Sequence, residues 1–162
     1  MTKRTILKFP DPGLKATAQP VEVFDDNLRI LAEDLVDTMR AAPGIGIAAP
    51  HVGVLTRLIA IELPGSTQPS VYVNPVVEWS SSEMFRHDEG SISMPGVTSP
   101  VERPASVRVT YQNLSGVTET VTAEGLLAVC LQHEIDQLDG IFWIYRLSRL
   151  RRDRIIKRFG KA

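Results

Sequence analysis

The stretch Leu126-Leu127-Ala128-Val129-Cys130-Leu131-Gln132-His133-Glu134-Ile135-Asp136-Gln137 decides the fold. From Leu126 to Leu131 every residue is apolar, and Gly140 supplies a stop, so 125–139 reads as a helix. A helix that is apolar all round cannot lie on a surface. It belongs in the middle of the molecule, with the other elements arranged around it. His133 and Gln137 are four residues apart and share a face of that helix. Metal hydrolases of the H-E-x-x-H type place two histidines at this spacing, with the adjacent Glu as general base. Here the second position is glutamine. Read alone, a His–Glu pair on a helix is as well explained by a structural role.

Outward from this helix, residues 106–112 and 117–122 alternate on either side of Leu114-Ser115-Gly116 and predict an antiparallel hairpin. Residues 57–63 and 71–79 predict strands, and Pro75 places the second at an edge or at a bulge. Residues 84–93 predict extended chain. Residues 25–41 predict an amphipathic helix with Leu28, Leu31, Leu35 and Met39 inward and Asp25 or Asp26 as cap. A short basic helix closes the chain at about 148–159, with Ser148 at its start. Strands around one buried helix predict an α+β class, in a single domain over 1–162.

With 43% apolar and 23% charged residues, the 162-residue chain has ordinary globular composition. No apolar run reaches the roughly 18–20 residues that span a bilayer, and no signal-like segment opens the chain, so a cytoplasmic location is expected. The single cysteine, Cys130, suits a reducing compartment. The net charge of −1 conceals an asymmetry. Residues 146–162 hold eight Lys or Arg and one acidic residue, leaving ten basic and eighteen acidic residues in 1–145. An acidic body disfavours free DNA as a partner. The basic tail reads either as a solvated helix face or as a contact for RNA phosphates.

Two further segments matter in combination with the helix. Gly44-Ile45-Gly46-Ile47-Ala48-Ala49-Pro50-His51 reads alone as a tight turn with close packing, and Glu89-Gly90-Ser91-Ile92-Ser93 alone carries no message. Taken in order with Gln132-His133-Glu134-Ile135-Asp136-Gln137-Leu138-Asp139-Gly140, they resemble the three motifs of the peptide deformylases: G-x-G-x-A-A-x-Q, E-G-C-L-S and Q-H-E-x-D-H-L-x-G. Lys8-Phe9-Pro10-Asp11-Pro12, Pro20-Val21, Met94-Pro95-Gly96-Val97 and the basic terminal helix are similar to the same family.

That resemblance implies antiparallel sheets wrapped around the motif-bearing helix. It also implies removal of the formyl group from N-terminal formyl-methionine. A divalent metal (iron, zinc or nickel) would be held by the motif-two Cys and both motif-three His, with water in the open position. Carried over by position, His133 is the remaining metal ligand and Glu134 the catalytic acid/base. Gly46, His51 and Ile92 fall at substrate and oxyanion positions. Ser91 and Gln137 occupy the positions of lost ligands, and His51 replaces a glutamine.

A serine hydroxyl and a glutamine amide are neutral, poor donors for a borderline-soft metal. Deformylation is therefore expected to be weak or lost and the metal absent or weakly held, with the cleft kept for peptide N-termini or another small ligand. The alternative is a rebuilt site formed by His51, His133 and Glu134 in a working hydrolase. His87 reads as a surface or strand histidine rather than a ligand, and Ser91 as a space-filler rather than a nucleophile. The basic helix offers a possible contact with the ribosome.

Overall fold

The computed structural model describes residues 2–161. Its centre is α2 (Gly125–Leu138), buried from Ala128 through Leu138 as the unbroken apolar run requires. One side of α2 packs Ala128, Leu131, Ile135 and Leu138 against Ile59, Tyr72, Val107, Val109 and Ala123 of a five-stranded sheet. Its other side meets a two-stranded ribbon through polar bonds described below.

The sheet contains β1 (Gly46–Ala48), β2 (Leu58–Ile61), β3 (Ser70–Ser80), β6 (Ser106–Gln112) and β7 (Thr118–Glu124), in the order β1-β2-β3-β6-β7. Every pairing is antiparallel. The hairpin read from alternation is β6–β7, with Val109 opposite Val121. Strand β1 lies where the sequence suggested only a tight turn. Three residues are too few to show alternation, yet Gly46 pairs with Ile61 and Ala48 with Ile59.

Pro75 is accommodated as a bulge and not at an edge, because β3 lies between β2 and β6. The β3–β6 register slips between Val73 and Val76, where Asn74 has φ of 50°. The Asn74 side chain stabilises the irregularity: its carbonyl accepts from Val21 N–H at 2.8 Å, and its amide donates to Val21 O at 3.0 Å.

The ribbon pairs β4 (Met84–Ser91) with β5 (Met94–Pro104). β5 goes undetected in the sequence because Pro95, Pro100 and Pro104 interrupt it. A two-stranded ribbon tolerates proline, since each strand has a free edge where no N–H is needed. The ribbon turns through Ile92-Ser93, with Ser91 opposite Met94.

Helix α1 (Asp26–Ala41) starts at Asp25, whose carboxylate accepts from Leu28 N–H at 3.2 Å. The predicted face is buried against Ile47, Leu58, Ala60 and Val73. Helix α3 (Arg149–Gly160) starts at Ser148 and buries Ile155 against a third cluster that includes Leu14, Met94, Phe142 and Trp143. Among the described residues no helix is long and apolar enough to cross a membrane.

Gly140 ends α2 with φ of 76°, and a Cβ there would run into the Lys15 carbonyl oxygen. Gly140→Ala meets both backbone strain and a collision with main chain, neither of which a side-chain rotation relieves. A loss of about 2 kcal/mol or more of unfolding free energy is expected in urea titration. A loss below about 0.5 kcal/mol would show that the loop yields at no cost.

Candidate functional site

A cleft of about 400 Å³ opens between α2, the segment 42–46 and the end of β4. Leu126, Val129, Cys130, His133 and Glu134 line it from α2; Ile45, Gly46 and His51 from the segment around β1; His87, Ser91 and Ile92 from the ribbon. The cleft therefore gathers all but one of the site residues read from sequence. Gln137 is the exception. It is 1% exposed, lies outside the lining, and its Nε2 donates to Leu14 O at 2.7 Å. The Gln137 amide fastens α2 to the 3-10 turn Pro12–Lys15.

Gly46 serves close approach. A Cβ there would lie 2.8 Å from Glu134 Oε2. Absence of a side chain at 46 is what lets the Glu134 carboxyl sit against β1. Ile92 lines the cleft at the ribbon turn, and its carbonyl accepts from Lys8 Nζ at 3.1 Å.

His133 is oriented from behind. Its Nδ1 lies 2.8 Å from Glu89 Oε1, and Arg103 donates to both Glu89 oxygens at 2.6 and 2.9 Å. Arg103 also donates to Asp136 Oδ2 at 2.9 Å, and Arg146 holds both Asp136 oxygens at 2.8 and 2.7 Å. Burial by itself would raise the Glu89 carboxyl, but the bonds from His133 and Arg103 outweigh it and hold it at about 2. Glu89 is therefore a carboxylate, and His133 Nδ1 donates to it. Burial pushes His133 down, but the Glu134 and Glu89 carboxylates prevail and hold it above its ordinary value.

Of these partners, sequence reading assigned a role to none of Glu89, Arg103, Asp136 and Arg146. Glu89 and Asp136 lie inside the recognised motifs, one two residues before Ser91 and one three residues after His133, and they were the available signal. Arg103 sits in the undetected strand β5 and gave none.

His51 is 1% exposed. Its Nδ1 lies 3.0 Å from the Ala48 nitrogen and 3.2 Å from Ala48 O, so it accepts from the N–H in one tautomer of the ring and donates to the carbonyl in the other. Burial, and next the charge on His133, lower His51 to about 3, so the ring is neutral. Its 3.8 Å approach to Glu134 Oε1 is accordingly not an ion pair. His51 Nε2 and Glu134 Oε1 are both buried and lack hydrogen-bond partners. Burial, with some help from Glu89, raises the Glu134 carboxyl to about 7.

The donor set does not fit a divalent metal. Gln137 is committed to Leu14, and Ser91 Oγ accepts from Ser93 N–H at 3.1 Å. Cys130 lines the cleft, but burial first and the Glu134 charge second push its thiol up to about 12, far from a thiolate. Among the described residues no three His, Cys, Asp or Glu side chains are grouped so as to hold a metal ion. His87 lies on β4 as a strand histidine, half-buried, and its ring lines the cleft instead of facing away from it.

Burial of Glu134 has a pH signature. A carboxyl raised from 4.5 to about 7 by folding binds its proton more tightly when folded. Its contribution is intact below pH 4.5 and is lost as pH rises through 7. Glu134→Gln removes that loss. The variant should match the parent at pH 4.5 and exceed it by about 2–3 kcal/mol at pH 8 in urea unfolding. A difference independent of pH would contradict the assignment.

A buried His–Glu helix between antiparallel strands, with a glycine-bearing strand and a ribbon turn closing a cleft, brings the three sequence motifs together at one place. The chain belongs to the polypeptide deformylase family, whose profile it matches over residues 3–153. It is 59% identical over 161 residues to a Brucella melitensis protein named peptide deformylase-like, covering 99% of this chain and 98% of that one. Rhizobium meliloti has both a peptide deformylase-like protein, 59% identical over 161 residues (99% and 94% covered), and a peptide deformylase, 45% identical over 165 residues (100% and 95% covered). The crystal structure of a peptide deformylase from Legionella pneumophila superposes with a TM-score of 0.94 at 39% identity, covering 99% of this chain and 95% of that one.

Proposed function

We propose that this chain is a deformylase paralogue that has given up metal-dependent deformylation and uses the retained cleft to bind blocked peptide N-termini. One observation carries the reading: the two replaced ligand positions are engaged elsewhere, Gln137 on Leu14 O and Ser91 on Ser93 N–H. His133 is left as one strong donor where an open catalytic site has three. Rhizobium meliloti has a relative of each name, which supports a division of labour between paralogues.

The residues that would meet a ligand follow from the cleft. The aliphatic walls at Ile45, Leu126, Val129 and Ile92 suit an apolar side chain. The Nε2 of His51 is buried and without a partner, and in the tautomer that carries its proton there it suits the oxygen of an N-terminal acyl group. Glu134 next to it would hold or release a proton near neutral pH.

The test is metal content and turnover together. Protein purified with iron, zinc or nickel supplied should carry far less than one equivalent and should not hydrolyse formyl-Met-Ala-Ser above background. Calorimetry should still show that peptide binding. One equivalent of metal with turnover would overturn the reading in favour of a rebuilt site using His51, His133 and Glu134. That alternative would use His51 through Nε2, with Nδ1 held at Ala48.

We also propose that α3 meets RNA phosphates, as at a ribosome. Arg151 turns inward to Ser99 Oγ at 2.6 Å, but Arg149, Arg154, Lys157 and Arg158 are exposed. Co-sedimentation with ribosomes should fall steeply between 50 and 200 mM salt. Sedimentation unchanged by salt would count against it.

A further inference from the structure

Five buried side-chain polar atoms among the described residues lack a hydrogen-bond partner: His51 Nε2, His87 Nδ1, Ser93 Oγ, Glu134 Oε1 and Trp143 Nε1. Three of them belong to residues that line the cleft described above. His51 and Glu134 stand together and are assigned above to the acyl end of a ligand. His87 is the third, and no role read so far uses it.

Its setting is unusual for a histidine. On β4, Phe85, His87 and Glu89 point to one face, since side chains alternate along a strand. Glu89 on that face bonds His133. His87 tilts against the Phe85 ring, with centroids 5.8 Å apart, and faces Val101 across the ribbon. The apolar part of the cleft that it lines is formed by Ile45, Leu126, Val129 and the neutral thiol of Cys130. None of these offers a strong hydrogen bond to an imidazole. A buried polar atom left without a partner is costly, and a ligand that supplies the partner is favoured by that amount.

We infer that His87 is a specificity-determining residue, selecting N-acylated peptides whose first side chain has about the length of methionine but ends in a hydrogen-bonding group, as glutamine does. This rests on the reading of the cleft as a seat for blocked N-termini. The acyl oxygen meets His51, the aliphatic stem lies along Leu126 and Val129, and the amide tip reaches His87. An amide both donates and accepts, so it serves either tautomer of the ring.

The test compares formyl-Gln-Ala-Ser with formyl-norleucine-Ala-Ser by calorimetry on the full chain. The two side chains have similar length and differ in the polar tip. The glutamine peptide should bind about tenfold more tightly, the gain of one hydrogen bond to a buried group. In His87→Leu the preference should reverse. Equal affinities in the parent protein, or a preference unchanged in the folded variant, would overturn the inference and leave the N-terminus reading intact. Should neither peptide bind, butyramide is titrated while the ring-nitrogen resonances of His87 are followed by NMR. A saturating shift of those resonances would support the inference and reject the peptide reading, and no shift would reject both.

Discussion

Returning the three departed positions to the family pattern together, Ser91→Cys, Gln137→His and His51→Gln, is expected to restore a stoichiometric metal ion and formyl-peptide hydrolysis. The scaffold argues for it. His133 is already oriented by Glu89 at 2.8 Å, Glu134 is already seated against Gly46, and Ile92 already lines the cleft. Cysteine at 91 introduces a thiolate donor and histidine at 137 a second imidazole, completing three strong ligands. Loss of a residue that merely supports a ligand costs about 10–100-fold in metal affinity, so regaining two ligands should raise affinity by more than about 10³-fold. Each single reversion should do little, because two donors do not make the site. Inductively coupled plasma analysis and a formate-release assay read the result. A triple variant that folds but takes up no metal would mean that the cleft itself has diverged.

Removal of the Arg103 side chain is the second large effect. Arg103 is 4% exposed and joins two acidic groups, Glu89 and Asp136, which would otherwise be buried side by side. Asp136 retains Arg146, but Glu89 keeps only His133. Breaking a buried charge network by deleting one partner leaves uncompensated charge and typically costs about 3–5 kcal/mol. Arg103→Ala should lose that much in urea unfolding at pH 7. Arg103→Met combined with Glu89→Gln should lose less, since no bare carboxylate remains.

Acid sharpens the comparison. Folding lowers Glu89 from 4.5 to about 2, so its stabilisation is present above pH 4.5 and drains away as pH falls toward 2. Without Arg103 the drain should still begin near 4.5, the unfolded value, but be smaller and end at higher pH, since only the folded value rises. A loss under about 1 kcal/mol would mean that solvent reaches Glu89 in the variant.

Much of this was legible before any coordinates. The apolar run 126–131 demanded a buried helix, and Leu28, Leu31, Leu35 and Met39 marked the inner face of α1 at helical spacing. The cleft residues Gly46, His51, Ser91, Ile92, His133 and Glu134 were named from motif order alone. What escaped detection has physical reasons. β1 is too short to alternate, and β5 carries three prolines that hide it. The charge network joins residues 14 and 33 positions apart, and Gln137 finds its partner 123 residues away. Such pairings are set by tertiary packing, which a local pattern does not encode.

The bond from Gln137 to Leu14 bears on the history of the chain as well as on its present shape. The position that the motif resemblance gives to a ligand holds two parts of the backbone together in this chain. A histidine restored there alone would give up this fastening and gain no function until position 91 changed too. On the proposed reading, a step back toward catalysis at 137 would first give up a hydrogen bond of the fold, which would make a loss of activity hard to reverse one residue at a time.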